Sequence, residues 1–486
     1  MLVRGVLYSL VFVLGVTVCA KVRLRAVRQW VLLIGSYALY LSWGSWFAGV
    51  LLFSTLMNYL LGKWLQREPS RLALSVGILL NLALLGSFKY LPEVSVTLPL
   101  SSLQRFAHLA LPLGISFWTF QAMSYLFDQY RGEELDPTFV EFALYMAFFP
   151  VTISGPICRM PEMLPQFRSE SALAWSDIER GFGRIATGVL MMQLAKLLGQ
   201  GILAGDSITS GFDRLAHWTG PDVWCLAFGF GLQLFFDFAG FTHIAIGAVK
   251  VLGFTVPENF ARPFQSITPS IFWTRWHMSL SFWIRDYVFF PMATLRREVW
   301  WRNLVLVFSM VVFGLWHNTT WLFVIWGCYH GLLLVGHRLV QQLERRFDWD
   351  PQLAFWTPLS WIVTITLISL GWIFFRASSL AKAGQMLSAV LSPATYGNHL
   401  VSGSLYLLVL ALGLGYMIVL VVIDVLDRYP AAADAHESNA GSGIMAFLAR
   451  KRWFWVPPLY ALTLLLVLAV TLTQGPATSQ LMYRAF

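Results

Sequence analysis

The chain has 486 residues, of which 57% are hydrophobic and only 12% are charged, and its formal net charge is +9. An average soluble domain carries roughly 25% charged residues, so the composition argues against a water-soluble fold. The basic residues form short clusters between apolar runs and no nucleic-acid module is visible, so the charge indicates membrane topology rather than a nucleic-acid partner.

Apolar segments recur along the whole chain and predict an all-α, polytopic integral membrane protein. A membrane span needs about 20 mostly apolar residues, and on this criterion we expect eleven to thirteen membrane helices or re-entrant elements. The candidates lie near residues 3–20, 29–46, 47–62, 73–90, 107–127, 138–156, 183–203, 222–251, 303–317, 320–337, 357–375, 404–424 and 455–473. No long polar interval separates them, so we expect one membrane domain over residues 1–486.

Two basic clusters indicate the orientation of the first spans. The first apolar run is followed by the basic cluster Lys21–Arg28 rather than by a small-residue cleavage site, so we predict a retained span, not a signal peptide. Basic residues accumulate on the cytoplasmic side of short loops. We therefore expect Lys21–Arg28 and Lys63–Arg71 to lie in the cytoplasm.

The same rule orients a hairpin in the second half of the chain. Basic residues at both ends enclose it: Arg296, Arg297 and Arg302 before it, and His337, Arg338, Arg345 and Arg346 after it. Its turn at His317–Thr320 then points away from the cytoplasm. From Arg302 to His317 a helix rises roughly 22 Å, so His317 is expected well inside or past the middle of a ~30 Å hydrocarbon core.

Polar residues interrupt the apolar segment 257–292, including Arg275, His277, Arg285 and Asp286. Such residues are tolerated at membrane depth only where the backbone is buried in protein or lines a watery cavity. We predict that this segment is not a plain lipid-facing span and forms the wall of a central site.

Three histidines stand close together in this part of the chain. His317 lies in the polar turn GLWHNTTW, His277 precedes it by 40 positions and His330 follows it by 13. A single histidine in such a segment is explained equally well by packing or by catalysis, but three within 54 residues favour a catalytic role. Imidazole has an unperturbed pKa near 6.5, so it can accept a hydroxyl proton in the transition state of acyl transfer to an alcohol.

Other chemistries receive less support from the motifs. Metal binding is the competing hypothesis for the histidines, but no HExxH-like pair and no completing carboxylate occurs, so we expect no metal. Nucleophile-elbow and phosphate-loop motifs do not occur in the sequence. Asp237, within the span 222–251, is costly to bury as a charge and is expected to pair with a cation or to orient an imidazole.

Four long blocks of the sequence combine apolar and polar residues in a distinctive way: PLGISFWTFQAMSYLFDQYRGE, AFFPVTISGPICRMPEMLPQF, ENFARPFQSITPSIFWTRWHMSLSFWIRDYVFFPM and GLWHNTTWLFVIWGCYHG. These blocks, in this order, resemble those of the bacterial alginate O-acetyltransferase branch of the membrane-bound O-acyltransferase family. The resemblance covers a core of about 107–377, whereas the peripheral helices 1–90 and 400–475 match only in hydrophobic layout.

The resemblance implies a ring of helices around a central funnel that acyl-CoA and the acceptor enter from opposite faces. It implies that His317 is the catalytic histidine and His277 the second polar site position. The sequence departs from the family pattern at His243, in a block that usually carries aspartate, and at Asn318, where glycine is common.

The resemblance also suggests which residues line the tunnel or the substrate site: Trp276, Trp316, Asn318, Trp321, His330, Asp237 and His243. Four arginines are expected near the phosphates of acetyl-CoA: Arg275, Arg285, Arg296 and Arg297.

The resemblance predicts an acetyltransferase of the bacterial inner membrane, surrounded by membrane lipids and without a permanently bound cofactor. It would move an acetyl group from cytoplasmic acetyl-CoA to an exopolysaccharide, directly or through an extracytoplasmic acetyltransferase or a polysaccharide synthase partner. Two alternatives stay open. One is transfer of D-alanine or another acyl group to an envelope polymer, and the other is a non-catalytic polysaccharide or lipid transporter.

Overall fold

The computed structural model describes residues 2–92, 110–170, 173–201, 206–347 and 356–428. The prediction of an all-α fold is confirmed, because within these ranges the chain forms helices and no β-strand, only an isolated bridge between Phe260 and Trp276. The predicted span at 455–473 lies outside the described residues.

The α-helices are numbered here in chain order. They are α1 Leu2–Lys21, α2 Arg25–Trp43, α3 Ser45–Arg67, α4 Arg71–Lys89, α5 Ile115–Tyr130, α6 Phe139–Ala147, α7 Phe149–Thr152, α8 Met160–Arg168, α9 Trp175–Gln200, α10 Ile208–Asp213, α11 Gly220–Val251, α12 Pro269–Trp273, α13 Met278–Ile284, α14 Phe290–Ala293, α15 Val299–His317, α16 Trp321–Arg346, α17 Trp356–Arg376, α18 Leu380–Leu391 and α19 Gly403–Arg428. A π-helix, Arg285–Phe289, joins α13 to α14, and two short 3-10 helices lie at Pro263–Gln265 and Pro393–Gly397.

Eight of these helices, counted within the described ranges, are long and apolar enough to cross a membrane. They are α1, α3, α4, α11, α15, α16, α17 and α19. Many of their large apolar side chains are exposed, as expected of surfaces that face hydrocarbon rather than water. The protein is therefore a multi-pass membrane protein.

Two predicted segments are broken into short helices. The candidate near 138–156 consists of α6 and α7, with Phe148 between them at φ −53° and ψ 99°. The cause is Pro150, which lacks an N–H and whose ring clashes with the carbonyl four residues earlier in a continuing helix. The prediction that 257–292 is not a plain span is confirmed, since it consists of α12, α13, the π-helix and α14.

The described residues form two compact units. The first contains the chain up to Gly188 together with Phe241–Pro263 and Ser270–Thr319. The second contains Val189–Gly240, Phe264–Pro269 and the described chain from Thr320 onward. Each has its own buried aromatic core: Trp118, Tyr125, Phe142 and Tyr145 in the first unit, and Phe230, Trp326 and Trp372 in the second.

A buried carboxylate organises one end of the second unit. Asp222, in the first turn of α11, is fully buried. It accepts hydrogen bonds from the backbone N–H groups of Leu400 and Val401 at 3.0 and 3.1 Å, from the Thr219 hydroxyl at 2.6 Å and from the Tyr406 hydroxyl at 2.8 Å. The carboxylate thereby ties the loop before α19 to the beginning of α11, where a negative charge also suits the helix dipole.

We expect Asp222→Ala to destabilise this unit strongly. The substitution removes the shared acceptor and leaves several buried donors unsatisfied, which costs on the order of 3 kcal/mol. Thermal unfolding in detergent should show a markedly lower apparent Tm, whereas Asp206→Ala, at an exposed aspartate of the same unit, should leave it unchanged. Equal melting temperatures for the two variants would contradict the anchoring role of Asp222.

Candidate active site

His317 is the last residue of α15 and is buried, with 7% of its surface exposed. The helix ends there because the next residue, Asn318, turns to an extended conformation with φ −159° while its N–H still bonds to the Gly314 carbonyl at 3.2 Å. The imidazole stacks on Phe313, with ring centroids 5.6 Å apart and planes 16° from parallel. It also meets the edge of Trp316 at 4.6 Å. The last turn of α15 thus holds the imidazole between two of its own aromatic rings.

His277 occupies a strained position in the same unit. Its φ of 43° and ψ of 53° are left-handed helical values, which a residue with a Cβ rarely adopts. Such a conformation costs of order 1–3 kcal/mol and persists only where the surrounding structure enforces it. The side chain is 2% exposed and stands immediately before α13. Strain of this kind clusters at functional sites.

Asn259 enforces the conformation around His277. The Asn259 backbone carbonyl accepts from the Met278 N–H at 2.8 Å, and the neighbouring Ala261 N–H donates to the Arg275 carbonyl at 3.0 Å. The fully buried Asn259 amide also accepts a 2.5 Å hydrogen bond from the Ser279 hydroxyl. His277 therefore lies in a turn that is pinned on both sides to residues 259–261.

We expect Asn259→Ala to lower activity by misplacing His277. Loss of the amide leaves the buried Ser279 hydroxyl without this acceptor, at a cost of about 1–3 kcal/mol, and loosens the turn. The acyl-transfer rate should fall at least about tenfold, since small displacements of a reacting group are costly. Asn398→Ala, at an exposed asparagine, is the matched control. Full activity of a folded Asn259→Ala variant would contradict the positioning role.

The structure brings His277 and His317 against the same two aromatic side chains. The His277 ring lies 6.0 Å from Trp316 and 6.2 Å from Phe313, between centroids. Trp316 also packs against Phe117 and Phe120 of α5, at 6.2 and 5.7 Å between ring centroids. Two buried imidazoles with shared aromatic walls can accept a proton and donate a hydrogen bond to one small reacting group.

A second polar cluster in this unit surrounds Tyr287. The Tyr287 hydroxyl donates to Asp128 at 2.9 Å, and the guanidinium groups of Arg131 and Arg159 each lie 5.1 Å from its ring centroid. Arg131 also donates to the backbone carbonyl of Asp286 at 2.7 Å. Through these contacts the charged side chains connect the end of α5, the segment before α8 and the π-helix.

The four arginines that the sequence analysis expected near phosphates have different surroundings. Arg285 is exposed and pairs with Asp286 at 2.7 Å. Burial raises the pKa of Asp286, but hydrogen bonds from Arg285 and Arg159 outweigh this and hold the pKa below its usual value. Arg296 and Arg297 are exposed, with the Arg296 guanidinium 5.0 Å from the Trp301 ring, and Arg275 is half-buried.

His330 lies in the second unit and is completely buried. Its ring contacts Trp326 at 4.8 Å and Trp372 at 6.4 Å. A side chain at Gly371 would come within 2.4 Å of the His330 Nε2 atom, so the glycine makes room for the imidazole. His330 is thus tightly packed among aromatic rings of this core, and its predicted place at the substrate site stays a prediction.

The remaining predicted site residues are distributed over both units. Asp237 is 9% exposed and belongs to the second unit, as does Trp321, which is 71% exposed at the start of α16. In the first unit His243 and Asn318 are half-buried, and Trp276 packs against Phe260 and Phe272 at 5.2 and 5.3 Å. Their roles in lining a tunnel stay predictions.

Several residues of the two clusters, around the histidines and around Tyr287, are not predicted from the sequence. They are Phe313, Asn259, Lys89 and Tyr90 near the histidines, and Arg131 and Arg159 around Tyr287. Lys89 offered a signal, because it is a charge at the end of the apolar run 73–90. Asn259 offers a similar signal, because it is an amide side chain between apolar segments. Neither signal shows which residue the side chain contacts, since that depends on the fold.

Comparison with known proteins gives a family and several relatives. The family model described as MBOAT, membrane-bound O-acyltransferase family, matches residues 94–380. A protein of Azotobacter vinelandii named probable alginate O-acetylase is 32% identical over 382 residues, which are 75% of this chain and 73% of the relative. A peptidoglycan O-acetyltransferase of Helicobacter pylori is 30% identical over 398 residues, 74% of this chain and 73% of the relative.

A third relative is named for the transfer of a different acyl group, D-alanyl. The teichoic acid D-alanyltransferase of Bacillus subtilis is 30% identical over 275 residues, which cover 54% of this chain and 68% of the relative. The matched region of the family model includes α5 to α17 and hence both His277 and His317.

Proposed function

The chain belongs to the membrane-bound O-acyltransferase family and is an O-acyltransferase, and we propose that it carries an acetyl group from cytoplasmic acetyl-CoA to an extracytoplasmic polysaccharide. In this proposal the protein lies in the bacterial inner membrane. It transfers the acetyl group directly, or through a partner that is an extracytoplasmic acetyltransferase or a polysaccharide synthase. The observation that carries the proposal is the pair of buried imidazoles, His277 and His317, on the same two aromatic rings.

In the proposed reaction His317 acts as the general base. It accepts the proton of an acceptor hydroxyl while that oxygen attacks the thioester carbonyl of acetyl-CoA. The new C–O bond forms, the C–S bond breaks, and the proton passes from the imidazole to the departing thiolate. His277 donates a hydrogen bond to the carbonyl oxygen as negative charge develops there, a contribution that such donors make in acyl transfer.

The length of α15 supports access of the acceptor to His317 from the extracytoplasmic face of the membrane. The helix has 19 residues from Val299 to His317, which rise roughly 28 Å at about 1.5 Å per residue. That is close to a ~30 Å hydrocarbon core. The basic residues Arg296 and Arg297 precede the helix, and the positive-inside rule assigns that end to the cytoplasm. Arg275, Arg285, Arg296 and Arg297 are then our candidates for contacts with the phosphates of acetyl-CoA.

The relatives support an envelope polymer as acceptor. Alginate and peptidoglycan appear in the names of the two acetyltransferases that align over about three quarters of this chain. In our proposal the acceptor presents its sugar hydroxyls outside the cytoplasm. A general base buried near the far end of a span fits such an acceptor.

The D-alanyltransferase relative favours a second candidate function, transfer of D-alanine to an envelope polymer. The two candidates differ in the acyl donor. Inside-out membrane vesicles containing the protein should transfer label from [14C]acetyl-CoA into the polymer fraction, and vesicles without the protein should not. Label that enters only from D-[14C]alanine on its carrier protein would overturn the acetyl donor and support the second candidate.

A further inference from the structure

The C-terminal end of α4 contacts the last turn of α15, immediately before His317. The Lys89 ammonium, at the end of α4, donates to the Trp316 carbonyl. The hydroxyl of the next residue, Tyr90, donates to the Leu315 carbonyl at 3.1 Å. All four residues belong to the first unit, and Lys89 and Tyr90 are half-buried.

These contacts meet a need of any helix whose last turn is buried away from water, as that of α15 is at Trp316 and His317. The last four carbonyls of an α-helix have no partner within the helix, and together they form the negative end of its dipole. Away from water an unsatisfied carbonyl is strongly destabilising. Leu315 and Trp316 carry two such carbonyls, and they accept from Lys89, the last residue of α4, and from Tyr90, which follows it.

Lys89 also fixes the orientation of the Trp316 ring. Its ammonium nitrogen lies 4.9 Å from the centroid of the Trp316 ring, within the range of a cation–π contact. The same ring is within 4.6 Å of His317 and 6.0 Å of His277. Lys89 thus contacts both the backbone and the ring of Trp316, and both imidazoles pack against that ring.

Lys89 is a half-buried charge at the end of an apolar helix. Helix α4 is long and apolar enough to cross a membrane, and a partly buried ammonium group is stable only where polar partners replace water. Lysine at the end of α4 also complements that helix's own dipole. The dipole of α4 does not explain the hydrogen bond from Lys89 to the Trp316 carbonyl in α15, 227 residues later in the chain.

We propose that Lys89 is a positioning residue for acyl transfer: it caps the helix that carries His317 and fixes Trp316 against both histidines. This inference rests on the proposed function for its activity readout. Lys89 acts through Trp316 on the geometry of the reacting groups, so its loss should lower the rate at saturating donor and leave the KM for the donor nearly unchanged.

Lys89→Met tests the proposal, because methionine keeps an unbranched apolar side chain without charge or donors. We expect the rate at saturating [14C]acetyl-CoA in membrane vesicles to fall about 10- to 100-fold, with the donor KM within about threefold of wild type. Lys89→Arg keeps charge and donors and should restore most of the rate. The control is Lys21→Met, at an exposed lysine that ends α1, which should match wild type.

The proposal is overturned if folded Lys89→Met keeps the wild-type rate, if its loss lies in KM instead, or if Lys89→Arg is as defective as Lys89→Met. Hydrogen–deuterium exchange of the peptide covering 309–320 gives an independent readout. Lys89→Met should speed exchange in this last turn and Lys89→Arg should not, whereas unchanged exchange in Lys89→Met overturns the capping role. If the wild type transfers no acetyl group, the donor assignment fails while the exchange experiment still decides the role of Lys89.

Discussion

Replacing His317 by alanine is expected to reduce acyl transfer by at least about 10²- to 10⁴-fold, the range that a positioned general base contributes. The variant removes the only group that we assign to take the acceptor proton, and it leaves the aromatic neighbours Phe313 and Trp316 in place. The measurement is the initial rate of label transfer from [14C]acetyl-CoA in membrane vesicles, normalised to the amount of folded protein.

The matched control for this prediction is His217→Ala, at an exposed histidine of the second unit. It should retain the wild-type rate, which separates loss of the base from a general effect of removing an imidazole. A His317→Ala protein that elutes as a folded species in detergent and transfers at more than about half the wild-type rate would refute the assignment of the base.

His277→Gly should separate activity from stability. Glycine adopts the left-handed backbone at this position without the strain that histidine carries, so the substitution relieves part of a cost of order 1–3 kcal/mol. It also removes the imidazole, and loss of an oxyanion donor typically lowers the rate about 10²- to 10³-fold. We therefore expect a nearly inactive protein whose apparent Tm is close to that of the wild type.

His277→Asn is the companion variant. Asparagine tolerates left-handed backbone values better than most residues and carries an N–H donor, so it should recover part of the rate that glycine loses. A His277→Gly variant with the wild-type rate would exclude a direct role for the imidazole. A His277→Gly variant that fails to fold would show that the side chain serves packing instead.

Hydrophobic length was sufficient to predict most of the long helices. The spans expected near 303–317, 320–337 and 357–375 correspond to α15, α16 and α17, because a membrane helix must supply about 20 apolar residues whatever its neighbours are. The continuous apolar character of the segment 138–156 predicts a single element. Only the local chemistry of Pro150 divides it.

The residues that support the site depend on contacts between distant parts of the chain, and these are not readable from one sequence. His277 and His317 stood out as ionisable groups in apolar surroundings. The left-handed backbone of His277 did not, because it is imposed by pairing with Asn259 rather than by the residues beside it. Lys89 likewise acquires its partner only when α4 packs near the end of α15.

Buried polar pairs in the first unit show the same limit of sequence patterns. Asn58 of α3 and Asn81 of α4 are fully buried and exchange hydrogen bonds at 3.1 and 2.7 Å. In a membrane such an amide pair satisfies both side chains and joins the two helices. Each asparagine alone, in an apolar run, indicates a buried polar contact but not which helix provides it.

The central claim is that the buried pair around His317 transfers acetyl groups to an envelope polysaccharide. It is tested most directly by mass spectrometry of O-acetyl groups on the envelope polysaccharides of cells in which the gene is deleted and then replaced. The wild-type gene should restore the acetyl groups that the deletion removes, and the His317→Ala gene, expressed at the same level in the membrane, should not. Acetylation that survives the deletion, or that His317→Ala restores in full, would contradict the claim.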